Sequence, residues 1–438
     1  MTAGGRVRTL PAVPDPNAPE PAASIASAGG RSAALAFIFV TVVLDVLALG
    51  IIIPVLPTLV KNFLGGNTAS AASIFGVFGT VWALMQFVFS PVIGVLSDRF
   101  GRRPVILLSN FGLGLDYIVM ALAPTLGWLF VGRVISGITG ASFTTAGAYI
   151  ADVTPMEKRA AGYGMMGAAW GLGFVLGPAL GGLLGAVNPR LPFWCAAGLT
   201  LLNAMYGLFV LPESLPRERR RRFAWKRANP VGSLKLLRSH HELFGLSAVS
   251  FIYFLSHQVF PSVFVLYVGY RYGWDARTVG LTLAGVGVCN IIVQGGLVRP
   301  VVARLGERKT LLLGLCFGIA GFSIYGFAAT GWVFWLAIPL SAPIGLYNPA
   351  AQGIMSHHVS PSEQGELQGA NSSITGITGM IGPLLFTSTF ATFIGARADW
   401  HLPGAPFLLA SLLLLGAAGL ALRVTRPRAV RAGGGQRQ

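Results

Sequence analysis

Twelve apolar runs, each close to the ~20 residues that a helix needs to cross a bilayer, leave this chain few ways to fold. They cover 33–58, 70–96, 105–124, 127–151, 160–185, 191–211, 243–268, 277–302, 310–329, 332–356, 366–393 and 403–422. At ~1.5 Å rise per residue, a run of this length spans the ~30 Å of hydrocarbon in a bilayer. Lipid offers no partner to an unpaired backbone group, so each run must close its hydrogen bonds internally, as a helix. The expectation is an all-α membrane protein with twelve transmembrane helices. Composition agrees, since 53% of the 438 residues are hydrophobic and only 11% are charged.

A formal net charge of +17 would suit a nucleic-acid binder, but the placement of the charges argues against one. With both ends on one side of the membrane, that side collects Arg6, Arg8, Arg31, Arg99, Arg102, Arg103, Lys158, Arg159, Arg304, Arg308 and Lys309. The polar stretch 212–242 adds Arg217, Arg219 to Arg222, Lys226 and Arg227 to the same side. The opposite side receives only Lys61, Arg190, Arg271, Arg277 and Arg397. Excess Lys and Arg mark the cytoplasmic face, so both termini are expected in the cytoplasm. Residues 1–31 and 424–438 read as cytoplasmic tails, the first of them disordered and without the layout of a signal peptide. Cys195, Cys289 and Cys316 all fall in apolar runs, which implies neither a disulfide framework nor a metal site.

The stretch 212–242 separates six runs from six. It reads as a basic cytoplasmic linker between an N-terminal bundle, 32–211, and a C-terminal bundle, 243–423. Where it meets anionic lipid, each basic residue would contribute ~1 kcal/mol. The two bundles repeat one another. Arg99, Gly101 and Arg103 recur as Arg304, Gly306 and Arg308, and Gly164, Gly171, Gly177 and Pro178 recur as Gly369, Gly376, Gly382 and Pro383, all at an offset of 205. The repeat is imperfect, because Ala303 stands where Asp98 stands in the first copy. Parallel repeats of this kind place a binding site near the membrane midplane, between them.

Within the apolar runs the charged residues are few, and each is costly in lipid. Those well inside a run are Asp45, Asp116 and Arg133, with His257 as the one histidine so placed. A carboxyl embedded among apolar groups suits a proton carrier; the alternative for Asp45 is a permanent ion pair with Arg133. Asp116 could take protons, meet a cationic ligand or hydrogen-bond. His257 could titrate, since histidine changes charge near neutral pH, or serve as a neutral hydrogen-bonding wall residue. Asp45 precedes Gly50, Pro54 and Pro57, and the prolines break the helical ladder beyond it. Gly173, Gly177, Gly181 and Gly185 lie at four-residue steps, a smooth face for close packing.

The loop Gly94-Val-Leu-Ser-Asp98-Arg99-Phe-Gly101-Arg102-Arg103-Pro104 is short enough to join two antiparallel helices. Read blandly, it is a basic turn that sets orientation. Its spacing, however, resembles the signature loop between helices 2 and 3 of the major facilitator superfamily of transporters. Gly177-Pro178-Ala-Leu-Gly181-Gly182 is similar to the helix 5 signature of that superfamily's antiporters. The likeness extends over nearly all of 33–423 and is strongest to the bacterial tetracycline/proton antiporter branch. It is carried by Leu44-Asp45, Ala83-Leu84-Met85-Gln86, Leu115-Asp116-Tyr117, Gly132-Arg133, Ser136 to Ala141, Tyr149-Ile150-Ala151-Asp152, Leu211-Pro212-Glu213-Ser214, Gly306-Glu307-Arg308 and Gly382 to Phe386. In two places this chain departs from that branch. Asn290 and Gly318 occupy positions where the branch has a histidine in helix 8 and an aspartate in helix 9.

The resemblance implies the major facilitator fold and proton-coupled efflux of an amphipathic small molecule, tetracycline-like or multidrug, by alternating access. Asp45, Asp116, Arg133 and His257 are the candidates for proton coupling. Gly94, Asp98, Arg99, Gly101, Arg102 and Arg103 would form a gate, with Asp98 meeting the start of helix 11 near Glu366 to Gly369. Gly173, Gly177, Pro178, Gly181 and Gly182 would pack the antiporter helix, and Gln86, Tyr253, Gln258 and Asn290 would line the cavity. The neutral Asn290 and Gly318 weaken the expectation for tetracycline itself but leave proton coupling to Asp45 and Asp116. The alternatives are a proton-coupled transporter of a physiological solute and a sensor that has kept the scaffold without transport. No phosphate loop, nucleophile motif or metal cluster is present in the sequence, so neither an enzyme nor a cofactor is expected. The expected partners are a small-molecule substrate, protons and membrane lipid, without nucleic acid. The expected location is a bacterial inner membrane, and one chain carries both halves, so a monomer suffices.

Overall fold

The computed structural model describes residues 28–140, 142–154, 159–223, 229–234, 236–237, 241–360 and 363–425. Residues 1–27, Ala141, Lys158, Lys226, Arg227 and the tail beyond 425, all read from sequence above, lie outside the described residues. What is described is helical, with no strand among it.

The first half comprises α1 (Ala28–Ile52), α2 (Leu56–Phe63), α3 (Thr68–Phe100), α4 (Arg102–Leu122), α5 (Leu126–Thr139), α6 (Ser142–Val153), α7 (Arg159–Val187) and α8 (Leu191–Val210). The second comprises α9 (His241–His257), α10 (Val259–Tyr272), α11 (Ala276–Ile292), α12 (Val298–Phe327), α13 (Gly331–Ser341), α14 (Tyr347–Ser356), α15 (Gln364–Ile394) and α16 (Ala405–Val424). Chemistry marks the breaks. Pro54 and Pro57 separate α1 from α2, with Pro57 in the first turn of α2, where a missing N–H costs nothing. Asn67 caps α3 by accepting from Ser70 N at 2.9 Å, and Asp275 caps α11 by accepting from Thr278 N at 2.8 Å. Those Thr278 hydrogen bonds hold the Asp275 carboxyl below the usual carboxylate range.

Ten helical runs among the described residues are long and apolar enough to cross a membrane. This is a multi-pass membrane protein. One of those runs, Ala276–Phe327, is 52 residues long. It includes a π-turn at Val293–Leu297 and reverses at Gly306, whose φ of 74° and ψ of 164° are not helical. Gly101 makes the corresponding reversal between α3 and α4 with φ 107° and ψ 157°. Both angles lie where a side chain is disfavoured, so the repeated glycine of the sequence is a repeated turn. The segment 331–356 is broken by a 3₁₀ turn, Ala342–Leu346, and no single helix in it reaches spanning length.

The helices pack in a pattern that also repeats. In the first half α7 lies against α1 and, across the interface, α11; in the second α15 lies against α9 and α10 and, across the interface, α3. These two seams join the halves, and both are tight at the end away from Gly101 and Gly306. A Cβ on Gly182 would sit 2.9 Å from the Gly280 Cα, so the backbones of α7 and α11 touch there. Thr80 donates to Met380 O at 2.8 Å in the other seam. Toward the Gly101 end, which carries most of the arginines and is called the basic end below, the seams part. A Cβ on Gly94 or Gly365 in one seam, or on Gly164 or Gly167 in the other, would meet nothing within 4 Å among the described residues.

Candidate functional site

The charged residues singled out in the apolar runs fall together inside the first half. Asp45 is 6% exposed, Asp116 1% and Arg133 8%. Asn203, near the middle of α8, donates its Nδ2 to Asp45 Oδ1 at 2.9 Å and to Thr41 O at 3.1 Å. Asp45 therefore has an amide as its partner. Arg133 acts on Asp116 instead, which corrects the alternative of a permanent Asp45–Arg133 pair. The Asp116–Arg133 approach is not a closed ion pair. Neither carboxylate oxygen of Asp116 has a hydrogen-bond partner among the described residues, and Arg133 Nη2 points to Met120 Sδ at 3.6 Å. Gly132 of α5 faces the same two residues: a Cβ there would lie 2.6 Å from Met120 Cγ and 3.0 Å from Asp116 Oδ1.

Asp45 lines a small cavity with Leu49, Trp82, Gln86, Leu113, Tyr117, Ser136 and Gly140. Of the four residues expected to line a substrate cavity, Gln86 is the one brought beside this acid. Tyr253 lies in the second half, stacked on Tyr347 at 3.8 Å and on His257 at 5.9 Å between ring centroids. Ser250 Oγ and Tyr347 OH share a hydrogen bond of 3.0 Å, and Tyr253 OH donates to Ile344 O at 3.4 Å. Gln258 packs against Gly379 and Gly382 of α15, and Asn290 is exposed on α11. Gly318 is buried, and a Cβ there would lie 2.7 Å from Ile344 Cδ1 and 2.8 Å from Leu414 Cδ1. The position is thus closed to a side chain as well as lacking one.

At the basic end the loop of arginines is tied to its own half. Arg102 Nη1 pairs with Asp98 Oδ1 at 2.7 Å, and Arg102 Nε pairs with Asp152 Oδ2 at 3.1 Å. Glu213 Oε1 accepts from Arg102 N at 2.9 Å and Leu215 N at 3.1 Å, capping the start of α4. Arg220 approaches the other Glu213 oxygen at 3.5 Å, and Arg221 N donates to Asp98 O at 3.0 Å. Arg103 donates to Leu208 O, and Arg99 lies over the Phe100 ring at 5.1 Å. Among the described residues, Asp98 pairs with Arg102 and not with the start of α15. Among the antiporter-helix residues, a Cβ on Gly177 would stand 2.7 Å from Gly50 Cα. Gly173 and Gly181 also face α1, whereas Gly182 turns to the other half.

The sequence description Major Facilitator Superfamily matches residues 38–383 and 297–438 of this chain. The chain belongs to the major facilitator superfamily. Two curated members of similar sequence are the class C tetracycline resistance protein of Escherichia coli and the class G protein of Vibrio anguillarum. The first is 40% identical over 368 residues, covering 84% of this chain and 91% of that protein. The second is 40% identical over 374 residues, covering 84% and 93%. Among solved structures, a bacterial homologue of the human lysosomal transporter Spinster, in an inward-facing and unoccupied conformation, aligns with a TM-score of 0.73. It is 17% identical and covers 91% of this chain and 97% of that one, a likeness of fold.

Within this superfamily fold, two side chains that the sequence reading passed over stand in prominent places. Asn203 holds the embedded acid, and Glu213, quoted above only as part of a motif, caps the helix that follows the arginine loop. An amide in an otherwise apolar run was the available signal for Asn203. It carries no charge to draw notice, and only the crossing of α8 over α1 gives it meaning.

Proposed function

We propose that this protein exports a tetracycline-like or other amphipathic small molecule in exchange for protons, across a bacterial inner membrane. The reading rests above all on the 40% identity to proteins named for tetracycline resistance over most of both chains. It is strengthened by a carboxyl, Asp45, embedded in the first half and opening on a cavity. The same likeness favours export of a drug over transport of a physiological solute and over a sensor without transport.

In the proposed cycle the chain crosses the membrane twelve times. The count comes from dividing the long run at Gly306 and adding the broken run 331–356. The bundles 32–211 and 243–423 rock about their interface, joined by the linker 212–242, with the basic end and both termini in the cytoplasm. The parted seams at that end make the present arrangement the one that admits substrate from the cytoplasm. Asp45 and Asp116 exchange a proton for substrate, with Arg133 restraining Asp116 and His257 standing in the wall of the second half. Gln86, Tyr253, Gln258 and Asn290 face the substrate. A wall of amides and rings with few charges suits a lipophilic molecule. Closure at the basic end brings Asp98, released from Arg102, to the start of α15, where the partial positive charge of a helix N-terminus receives it. Gly94 leaves room for that approach.

The test is substrate-induced loss of a preformed pH gradient in everted membrane vesicles, with tetracycline first in a panel of lipophilic cations and neutral drugs. A response that disappears in Asp45→Asn is the expected outcome. Silence across the panel from folded, inserted protein would overturn drug export. A response to other drugs but not to tetracycline would place the specificity in Asn290 and Gly318.

A further inference from the structure

Asn203 lies on α8, which is otherwise almost wholly apolar, and is 1% exposed. A buried amide costs free energy unless its hydrogen bonds are made; its Oδ1 has no partner among the described residues, so the contacts of its Nδ2 carry the information. Both hydrogen bonds of Nδ2 fall on α1: to Thr41 O at 3.1 Å and to Asp45 Oδ1 at 2.9 Å. Thr41 and Asp45 are one helical turn apart. A single NH₂ group thus reads the backbone of α1 and the acid one turn further on, which ties one carboxyl oxygen to a fixed point on α1. An amide N–H donates equally well to a carboxylate oxygen and to the carbonyl oxygen of the neutral acid. Oδ1 is therefore engaged in both charge states, while a second buried amide, Asn110, stands beside the same carboxyl, which lines a cavity with Gln86 and Tyr117.

We infer that Asn203 is a positioning residue for proton exchange: by bonding Thr41 O and Asp45 Oδ1 together it holds the carboxyl against α1 beside the cavity. This rests on the proton-coupled reading above and adds to it a residue in a different helix. The infrared carbonyl band of Asp45, identified by its loss in Asp45→Asn, provides a test independent of transport. A hydrogen-bonded carbonyl stretches at lower wavenumber than a free one, so in Asn203→Leu the band should move to higher wavenumber. In vesicles, the same variant should lower substrate-driven proton flux on the order of ten-fold, the scale of a lost hydrogen bond to a charged group. Substrate counterflow, which moves no net proton, should stay within about two-fold by the same scale.

An unmoved band would overturn the inference. So would an equal fall in proton flux and counterflow. Where Asn203→Leu does not accumulate, Asn203→Ala removes the same donor with a smaller side chain and is judged by the same readouts. If the wild type moves no proton for any compound, the export reading fails, and the infrared band alone still decides whether Asn203 holds Asp45.

Discussion

Inside the first half lie two carboxyls, a guanidinium and two amides: Asp45, Asp116, Arg133, Asn110 and Asn203. The second half buries rings and hydroxyls in their place. Tyr253 stacks on Tyr347 at 3.8 Å, Tyr325 stacks on Phe334 at 4.3 Å, and Tyr325 OH and Ser341 Oγ share a hydrogen bond of 2.7 Å. The basic-end turns differ in the same sense. Around Gly101, Asp98, Arg102, Asp152 and Glu213 form a continuous network. Beyond Gly306, among the described residues, Arg308 Nε meets Thr425 Oγ1 at 3.1 Å and Glu307 meets His357 at 3.5 Å. A duplicated fold thus carries its charge chemistry in one copy. Neutral aromatic packing is cheaper to bury than ions, so the second half can be a stiff body against which a charged one works.

The largest effect that should break this comparison is Asp45→Asn, with loss of all substrate-driven proton flux in everted vesicles. Tyr253→Phe, which removes one long hydrogen bond from the second half, should leave that flux within about three-fold. Next comes Arg102→Ala, which leaves Asp98 and Asp152 without their shared partner. A drop in exchange on the order of ten-fold is expected, against less than two-fold for Arg308→Ala at the matching turn. Equal losses at the two turns would show that the network is only structural.

Smaller effects sharpen the contrast through stability. Gly318→Asp should cost more than about 2 kcal/mol, from overpacking against Ile344 and Leu414 and from burying an acid among apolar groups. Asn290→His, at an exposed position, should change thermal unfolding in detergent little. Smallest is Asp275→Ala, which removes the α11 cap at a cost of ~0.5–1 kcal/mol. The folded-state pKa of Asp275 is depressed, so the cap's contribution is complete above the unfolded value of ~3.9 and fades as pH falls through the folded value. Unfolding measured at neutral and at acid pH should therefore separate wild type from variant only at the former.

Much of this was legible in the chain itself. Apolar runs of spanning length force helices, and Gly101 and Gly306 mark reversals because few other residues tolerate their angles. Asp45, Asp116 and Arg133 stand out because an ion in an apolar run is expensive. The helix breaks at Gly140, between His257 and Val259, and through Ala342–Leu346 were not legible, since hydropathy does not change where a helix merely kinks or tightens. Nor was the choice of partners. Spacing along the chain left Arg133 free to pair with either acid, and only the crossing of α4, α5 and α8 assigns it to Asp116 and gives Asp45 to Asn203.

The backbone contact between Gly182 and Gly280 at the far end has a mechanical consequence. Two stiff bodies joined near one extremity behave as a lever, with the fulcrum at the join. A membrane helix of ~20 residues is ~30 Å long. A rotation of roughly 10° about the join thus carries the opposite extremity through roughly 5 Å, about one helical turn. Bulk at the fulcrum would shift the pivot and change the stroke without touching the acid or the drug. Gly182→Ala should therefore alter how fast the two ends alternate while leaving binding unchanged. A change in binding alone, seen in equilibrium measurements, would show that the join is not a fulcrum.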